Sequence, residues 1–190
     1  SMKELGSLWD YLNLEDKNIP EQIDTLRLDF QNFKSPLESV HWTNILDQGL
    51  VKLSNIKAID IKCSSKLTDA TLAPFSENIL PNLTSLRDFQ MNLKETQVTD
   101  KGLKLFFGNM KESVRGVEAF SLILWDTVIA DEGMLAFATE ALPYMKALKS
   151  FTLGLEDIGA GETRLTDGSI EPIFLGLKDI ADQIKVLNVG

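Results

Sequence analysis

The sequence predicts an α/β solenoid, in which short strands form a parallel sheet on the concave side and helices line the convex side. The first observation is a repeat of four copies, in each of which an apolar residue is followed by a Thr-Asp or Ala-Asp pair at a constant place. This apolar residue lies 19 positions before the first apolar residue of the next copy, at positions 67 and 86, 98 and 117, 129 and 148, and 165 and 184. A fifth, degenerate copy begins at residue 23 and keeps the same interval between positions 37 and 56. A period of about 31 residues is typical of a stacked array of units.

The second observation is that each copy has two halves with different hydrophobic periods. Apolar residues alternate with polar ones in the first half, which is typical of a strand with one buried face. Examples are Phe89, Met91 and Leu93 in one copy and Phe120, Leu122 and Leu124 in the next. The second half has helical spacing, as at Leu103, Phe106, Phe107, Met110 and Val114. Neither element can bury its apolar face alone, so we expect neighbouring units to stack, and the wider helices to make the stack curve.

The pair between the two halves is predicted to cap the helix that follows it. The four copies are Thr68-Asp69, Thr99-Asp100, Ala130-Asp131 and Thr166-Asp167. A short side chain with an acceptor oxygen binds the first free helical N–H groups, and a carboxylate suits the positive end of a helix. The alternative for such a series of carboxylates is a metal site, but calcium needs several oxygens that converge on one point.

We expect a single solenoid domain with two parts. Residues 1–22 have a helical apolar pattern and are predicted to form an N-terminal capping helix or half-repeat. Residues 23–190 are predicted to form five repeats and a final strand at residues 184–190. An uncovered strand at a sheet edge invites pairing with another chain. We therefore expect either that the natural protein continues or that this C-terminal edge strand pairs with a second copy.

Composition excludes several classes of partner. The net charge of −9 and the pI near 4.7 weigh against nucleic acid or an anionic membrane. No apolar run approaches the roughly 18 residues that a membrane span needs. Cys63 is the only cysteine and cannot form an internal disulfide, which favours a cytoplasmic or nuclear location.

The pattern Leu-x-x-Leu-x-Leu followed by Leu-Thr-Asp-x-Gly-Leu resembles a leucine-rich repeat of the ribonuclease-inhibitor-like class. Residues 86–103 and 117–134 match it best, and the likeness covers residues 23–190. The resemblance implies a right-handed superhelix. The asparagine or cysteine usual after the third leucine is missing, since Lys94, Trp125 and Glu156 occupy or adjoin that place. The repeats are also similar to those of F-box substrate receptors, without their cysteines.

The predicted site is a surface for a partner protein on the concave face of the sheet, because residues between buried strand positions point out of that face. The candidate residues are Arg27, Asp60, Lys62, Asp88, Gln90, Asn92, Ser121, Ile123, Trp125, Thr152, Glu156 and Asn188. The alternating charges of the first two strands have two possible roles. They either bind the partner, or they fix the strand register and keep the protein in solution. Trp125 is either an exposed aromatic anchor or a plug for the turn that lacks its asparagine. The loop at residues 156–164 is either a binding element or an insertion that the fold tolerates without a function.

No catalytic set, cofactor site or metal site is predicted. His41 is the only histidine, and structural roles are expected for it and for Cys63. Phosphate-loop and zinc-ligand spacings are absent from the sequence. We therefore expect a non-enzymatic scaffold that binds an unidentified protein. Two alternatives stay open. One is the substrate-receptor part of a ubiquitin ligase, and the other is a GTPase-activating leucine-rich-repeat protein with Arg164 as its candidate residue.

Overall fold

The computed structural model describes residues 24–31, 54–156 and 165–190. Within these residues six strands form one open sheet in chain order, and all five pairings are parallel. The strands are β1 (Thr25–Asp29), β2 (Ala58–Lys62), β3 (Asp88–Asn92), β4 (Ala119–Ile123), β5 (Ser150–Gly154) and β6 (Val186–Val189). Parallel neighbours need a crossover connection, and each connection from β2 onward contains a helix. The predicted α/β class with a parallel sheet is confirmed.

Four α-helices of the described part follow strands β2 to β5. They are α1 (Asp69–Pro74), α2 (Asp100–Gly108), α3 (Asp131–Ala136) and α4 (Asp167–Lys178). After α1 and α3 the chain continues through a π-helical turn and then a short 3-10 turn, which contains Pro81 in one unit and Pro143 in the other. A proline has no backbone N–H to continue a helix, so the helical segment ends there and the chain returns to the next strand.

One continuous core lies between the sheet and the helices. Phe89, Phe120 and Phe151 occupy the same register position of β3, β4 and β5, and none is more than 1% exposed. Their ring centroids lie 5.4 and 6.0 Å apart along this row. Phe106 of α2 lies 6.1 Å from Phe89, and Phe137 lies 5.5 Å from Phe120. Burying one such side chain contributes about 1.5–3 kcal/mol. The phenylalanines of these units are therefore buried both against the helical segment of their own unit and against the neighbouring strand.

The threonines of the Thr-Asp pairs cap the helices as predicted. The hydroxyl of Thr99 accepts a hydrogen bond from the N–H of Lys101 at 3.3 Å, and the hydroxyl of Thr166 accepts one from Gly168 at 3.2 Å. Thr68 has the same role in α1. Ala130 has no side-chain oxygen, and the cap of α3 has no side-chain hydrogen bond.

The aspartates of three pairs, Asp69, Asp100 and Asp131, join neighbouring units. Each lies in the first turn of its own helix, as predicted for a carboxylate at the positive helix end. The predicted capping is wrong in its partner, because these carboxylates bind the N–H groups of the next unit. The carboxylate of Asp69 accepts hydrogen bonds from the backbone N–H and the hydroxyl of Thr99 in the next unit, at 2.8 and 2.6 Å. Asp100 accepts the N–H of Ala130 at 2.8 Å. Asp131 accepts hydrogen bonds from the N–H and the hydroxyl of Thr166 at 2.8 and 2.6 Å. Because the preceding unit lies this close, its carboxylate binds the backbone at the start of the next helix. We call Asp69, Asp100 and Asp131 the aspartate ladder.

The position two residues after each pair's aspartate is shaped by the carboxylate of the preceding unit. A Cβ added to Gly102 would overlap the Oδ1 atom of Asp69, and one added to Gly133 would lie 2.6 Å from the Oδ1 atom of Asp100. The corresponding residue one unit later is Ser169, whose hydroxyl donates to Asp131 at 2.6 Å. This hydrogen bond is the largest cause of a pKa for Asp131 below its usual value. The glycine of the Thr-Asp-x-Gly pattern is thus explained by a contact between units.

Some of the predictions lie outside the described residues. These include the capping helix or half-repeat at residues 1–22, His41, and most of the loop that follows Glu156. In the part of the chain that the structure describes, no helix is long and apolar enough to cross a membrane.

Candidate functional site

The sheet face opposite the helices carries the predicted site residues in register. Its middle column consists of Arg27, Asp60, Gln90, Ser121, Thr152 and Asn188. The flanking columns are Asp29, Lys62, Asn92, Ile123 and Gly154 on one side and Thr25, Ala58, Asp88, Ala119, Ser150 and Val186 on the other. We call these columns, together with Trp125, the open face. The strand register aligns the candidate residues of the six strands on one face, as the alternation predicts, and their role in binding stays a prediction.

The open face is charged at its β1–β2 end. The Nε atom of Arg27 lies 4.0 Å from a carboxylate oxygen of Asp60, and the Nζ atom of Lys62 lies 3.8 Å from one of Asp29. Cross-strand pairs of this kind, when exposed, stabilise by about 0.2–1 kcal/mol. Their distances fit a role in strand register and solubility.

A shallow depression of about 220 Å³ lies in the middle of the open face, across β3, β4 and β5. Its lining residues are Asp88, Gln90, Ala119, Phe120, Ser121, Ser150 and Thr152. The depression exists because the side chains on β4 and β5 are small. At its β3 side the amide of Gln90 donates to the carboxylate of Asp88 at 3.2 Å. The depression therefore offers a carboxylate, an amide and several hydroxyl groups to a bound side chain.

Trp125 lies half-buried at the rim of the open face, where its ring covers Gly154. A Cβ at Gly154 would lie 2.6 Å from the indole Nε1 atom and 2.8 Å from the Cδ1 atom of Ile123. The Nζ atom of Lys94 lies 5.8 Å from the Trp125 ring centroid. Among the described residues the buried indole N–H has no hydrogen-bond partner. Ile123, Trp125 and Gly154 together form an apolar patch at this rim.

Buried threonines fill the turns that lack the usual asparagine. Thr127 is buried, and its hydroxyl donates to the carbonyl of Leu124 at 2.7 Å. Thr96 is buried at the equivalent position of the preceding turn. The two turns are joined by the N–H of Glu95, which donates to the carbonyl of Trp125 at 2.9 Å. Thr127, and not Trp125, thus occupies the inside of its turn. Sequence reasoning missed both threonines, although each lies three residues after the last strand leucine.

The remaining candidate residues divide between described and undescribed positions. Cys63 is 4% exposed, and burial raises the pKa of its thiol to about 12, so a reactive thiolate is not formed at neutral pH. Glu156 is exposed just after β5. Arg164 lies outside the described residues, so its role stays a prediction. In residues 24–31, 54–156 and 165–190 no group of three or more His, Cys, Asp or Glu side chains could hold a metal ion.

The β6 edge of the sheet exposes apolar side chains that are buried in the preceding strand. Leu187 and Val189 are 53% and 36% exposed, whereas their register partners Phe151 and Leu153 are 0% and 1% exposed. Such an edge is a template for pairing with a further strand.

A second cleft, of about 460 Å³, lies on the helical side of the molecule between α2 and α3. The Nζ atom of Lys104 lies 3.2 Å from a carboxylate oxygen of Glu132 at this cleft, and Lys111 and Glu140 approach to 2.6 Å. These ion pairs connect the two helical segments across the space between them. The cleft is larger than the depression of the open face, but its ion pairs fit a packing contact between neighbouring units.

A search of protein-family models found no match to the chain, and no curated protein matches it either.

Proposed function

We propose that this protein is a leucine-rich-repeat solenoid that acts as a non-enzymatic protein-interaction module, with the open face as its binding surface. The in-register parallel strands and the bonds of the aspartate ladder between units support this proposal, because solenoids are stabilised by contacts between adjacent units. The proposal needs no cofactor or metal, and the single buried thiol suits a cytoplasmic or nuclear protein.

The observation that carries the proposal is a sheet face with small side chains and no covering layer among the described residues. Parallel sheets are commonly covered on both faces. Here the helices pack on one face only, where they enclose the row of phenylalanines. The other face exposes hydroxyl groups and small apolar groups next to a depression. Because regular strands carry this surface, a partner would meet side chains whose backbone is already ordered, which lowers the entropic cost of binding.

The size of the open face indicates what kind of partner segment it suits. A five-residue strand spans roughly 17 Å, and the five gaps between six strands span roughly 24 Å. The flat area is therefore roughly 400 Å², about half of the 800 Å² that each partner contributes to a standard interface. A loop or an extended segment of the partner fits this area better than a broad domain surface.

A capture experiment with matched surface variants tests the proposal. Gln90→Arg places a long cation in the depression, and Thr139→Arg adds the same side chain at an exposed position of the helical side. Affinity capture with mass spectrometry should recover a partner with the wild type and with Thr139→Arg, and should lose it with Gln90→Arg. Equal recovery by all three proteins would refute the open face as the binding surface.

A further inference from the structure

One carboxylate of the open face has no cationic partner within the described part of the chain. Asp60 and Asp29 lie near Arg27 and Lys62, respectively, whereas no lysine or arginine of the described residues forms an ion pair with Asp88 within 4 Å. The reason is its position, because the strand neighbours of Asp88 are alanines, which carry no charge. Its carboxylate accepts a hydrogen bond from the neutral amide of Gln90.

The surroundings of Asp88 match the end of a long cationic side chain. The depression of about 220 Å³ is lined by Asp88 on β3, by Ser121 on β4, and by Ser150 and Thr152 on β5. A guanidinium group is planar and presents five N–H donors, which pair well with a carboxylate and with hydroxyl oxygens. The net charge of −9 also favours the approach of a basic partner.

An apolar patch lies at a fixed distance from this position. Ala119, beside Asp88, and Ile123 are the first and last residues of β4, four positions apart. At about 3.3 Å per residue this separation is about 13 Å. An extended partner segment points side chains at positions i and i+4 to the same side. One such side chain can therefore occupy the depression while the other contacts Ile123 and Trp125.

We propose that the open face binds an extended protein segment with an arginine at Asp88 and an apolar or aromatic residue four positions away on Ile123 and Trp125. This inference rests on the proposed function and adds the chemistry of the partner. Arginine is expected to bind more tightly than lysine, because its planar fork can bond Asp88 through two nitrogens.

The test is a selection of phage-displayed random heptapeptides against the wild-type protein, followed by fluorescence-anisotropy titration of the enriched peptides. We expect enrichment of arginine and of an apolar residue four positions from it. Asp88→Asn should weaken binding about tenfold or more, because a charge-assisted hydrogen bond is lost. Glu132→Gln removes a charge from the helical side and should leave the affinity unchanged. Citrulline in place of the peptide arginine should weaken binding to the wild type as much as Asp88→Asn does.

The outcomes separate this inference from the proposed function. Peptides without a basic residue that lose affinity for Gln90→Arg would overturn the inference and support the open face as a binding surface. Arginine peptides that bind Asp88→Asn as tightly as the wild type would also overturn the inference. Peptides that bind all open-face variants equally, or a selection without any binder, would contradict both proposals.

Discussion

Replacing Gly102 by alanine should destabilise the protein, although alanine is the better helix former. Gly102 is buried in α2, and a methyl group there would overlap the Oδ1 atom of Asp69. That carboxylate is held by the N–H and the hydroxyl of Thr99 at 2.8 and 2.6 Å. The added methyl should displace the carboxylate and break both hydrogen bonds between the two units.

The expected loss follows from these two hydrogen bonds. A hydrogen bond to a charged group contributes about 1.5–3 kcal/mol, and we take the lower value because Asp69 is only half-buried. Two bonds give about 3 kcal/mol, of which the higher helix propensity of alanine recovers about 1 kcal/mol. The net loss of unfolding free energy is about 2 kcal/mol, or roughly 4–8 °C in Tm for a domain of this length.

Urea unfolding followed by circular dichroism measures this loss, and the same helix provides a control. A Cβ at Gly108 meets nothing within 4 Å, so Gly108→Ala should be neutral or stabilise by up to about 1 kcal/mol. In an Asp69→Ala background the overlap with the carboxylate is absent and Cγ1 of Val98, at 3.2 Å, is the remaining close atom, so Gly102→Ala should then cost much less or become neutral. An equal loss in both backgrounds would refute the reasoning, as would a Gly102→Ala protein as stable as Gly108→Ala.

Three further predictions concern other parts of the molecule. The thiol of Cys63, whose pKa burial raises to about 12, should react with a maleimide only as fast as the protein unfolds, and rapid labelling in native buffer would contradict its burial. The hydroxyls of Ser169 and Thr166 lower the pKa of Asp131, so its stabilising effect should be present above about pH 4 and lost as the pH falls through that lowered pKa. Urea unfolding of wild type and Asp131→Ala should therefore differ at pH 7, and the difference should shrink as the pH falls below about 4, whereas a constant difference would count against this linkage. We also propose that β6 pairs with a second copy, so light scattering should show a dimer that Leu187→Lys dissociates, and a monomeric wild type at high concentration would exclude this pairing.

The sheet could be predicted from the sequence because the alternation within each strand and the spacing between copies predict the same strand pairing. Alternation of period two assigns Phe89, Phe120 and Phe151 to one face, and a constant interval between copies places them at one register. If one strand shifted by one residue, its phenylalanine would move to the exposed face, so only one register keeps the whole row buried. The same alternation assigns the residues between the buried positions, such as Gln90 and Ser121, to the opposite face.

The role of the aspartate ladder could not be predicted in the same way. Capping and bridging use the same residue type at the same position, and the pattern within one unit does not say which unit supplies the N–H groups. Only the distance from Asp69 to Thr99 in the folded chain decides the matter. The glycine at position 102 was visible in the pattern, but its physical reason is a tertiary contact.

The position of the candidate site could be predicted from the sequence, but the shape of its surface could not. The depression beside Asp88 depends on the small size of Ala119 and Ser150 and on the side-chain conformations of their neighbours. Trp125 could be placed at the rim from the sequence, whereas its packing over Gly154 follows from a side-chain conformation that periodicity does not encode.

The central claim is that one face of the sheet packs against helices while the other is free to bind. Gln90 and Met91 are neighbours on β3, and the first is exposed whereas the second is 2% exposed. In a Cys63→Ala background, maleimide labelling of Gln90→Cys should be rapid, and labelling of Met91→Cys should be slower by about two orders of magnitude or more, limited by opening of the structure. An open-face peptide should then protect only Gln90→Cys. Equal labelling rates for the two thiols, or no protection of the first by bound peptide, would contradict the account.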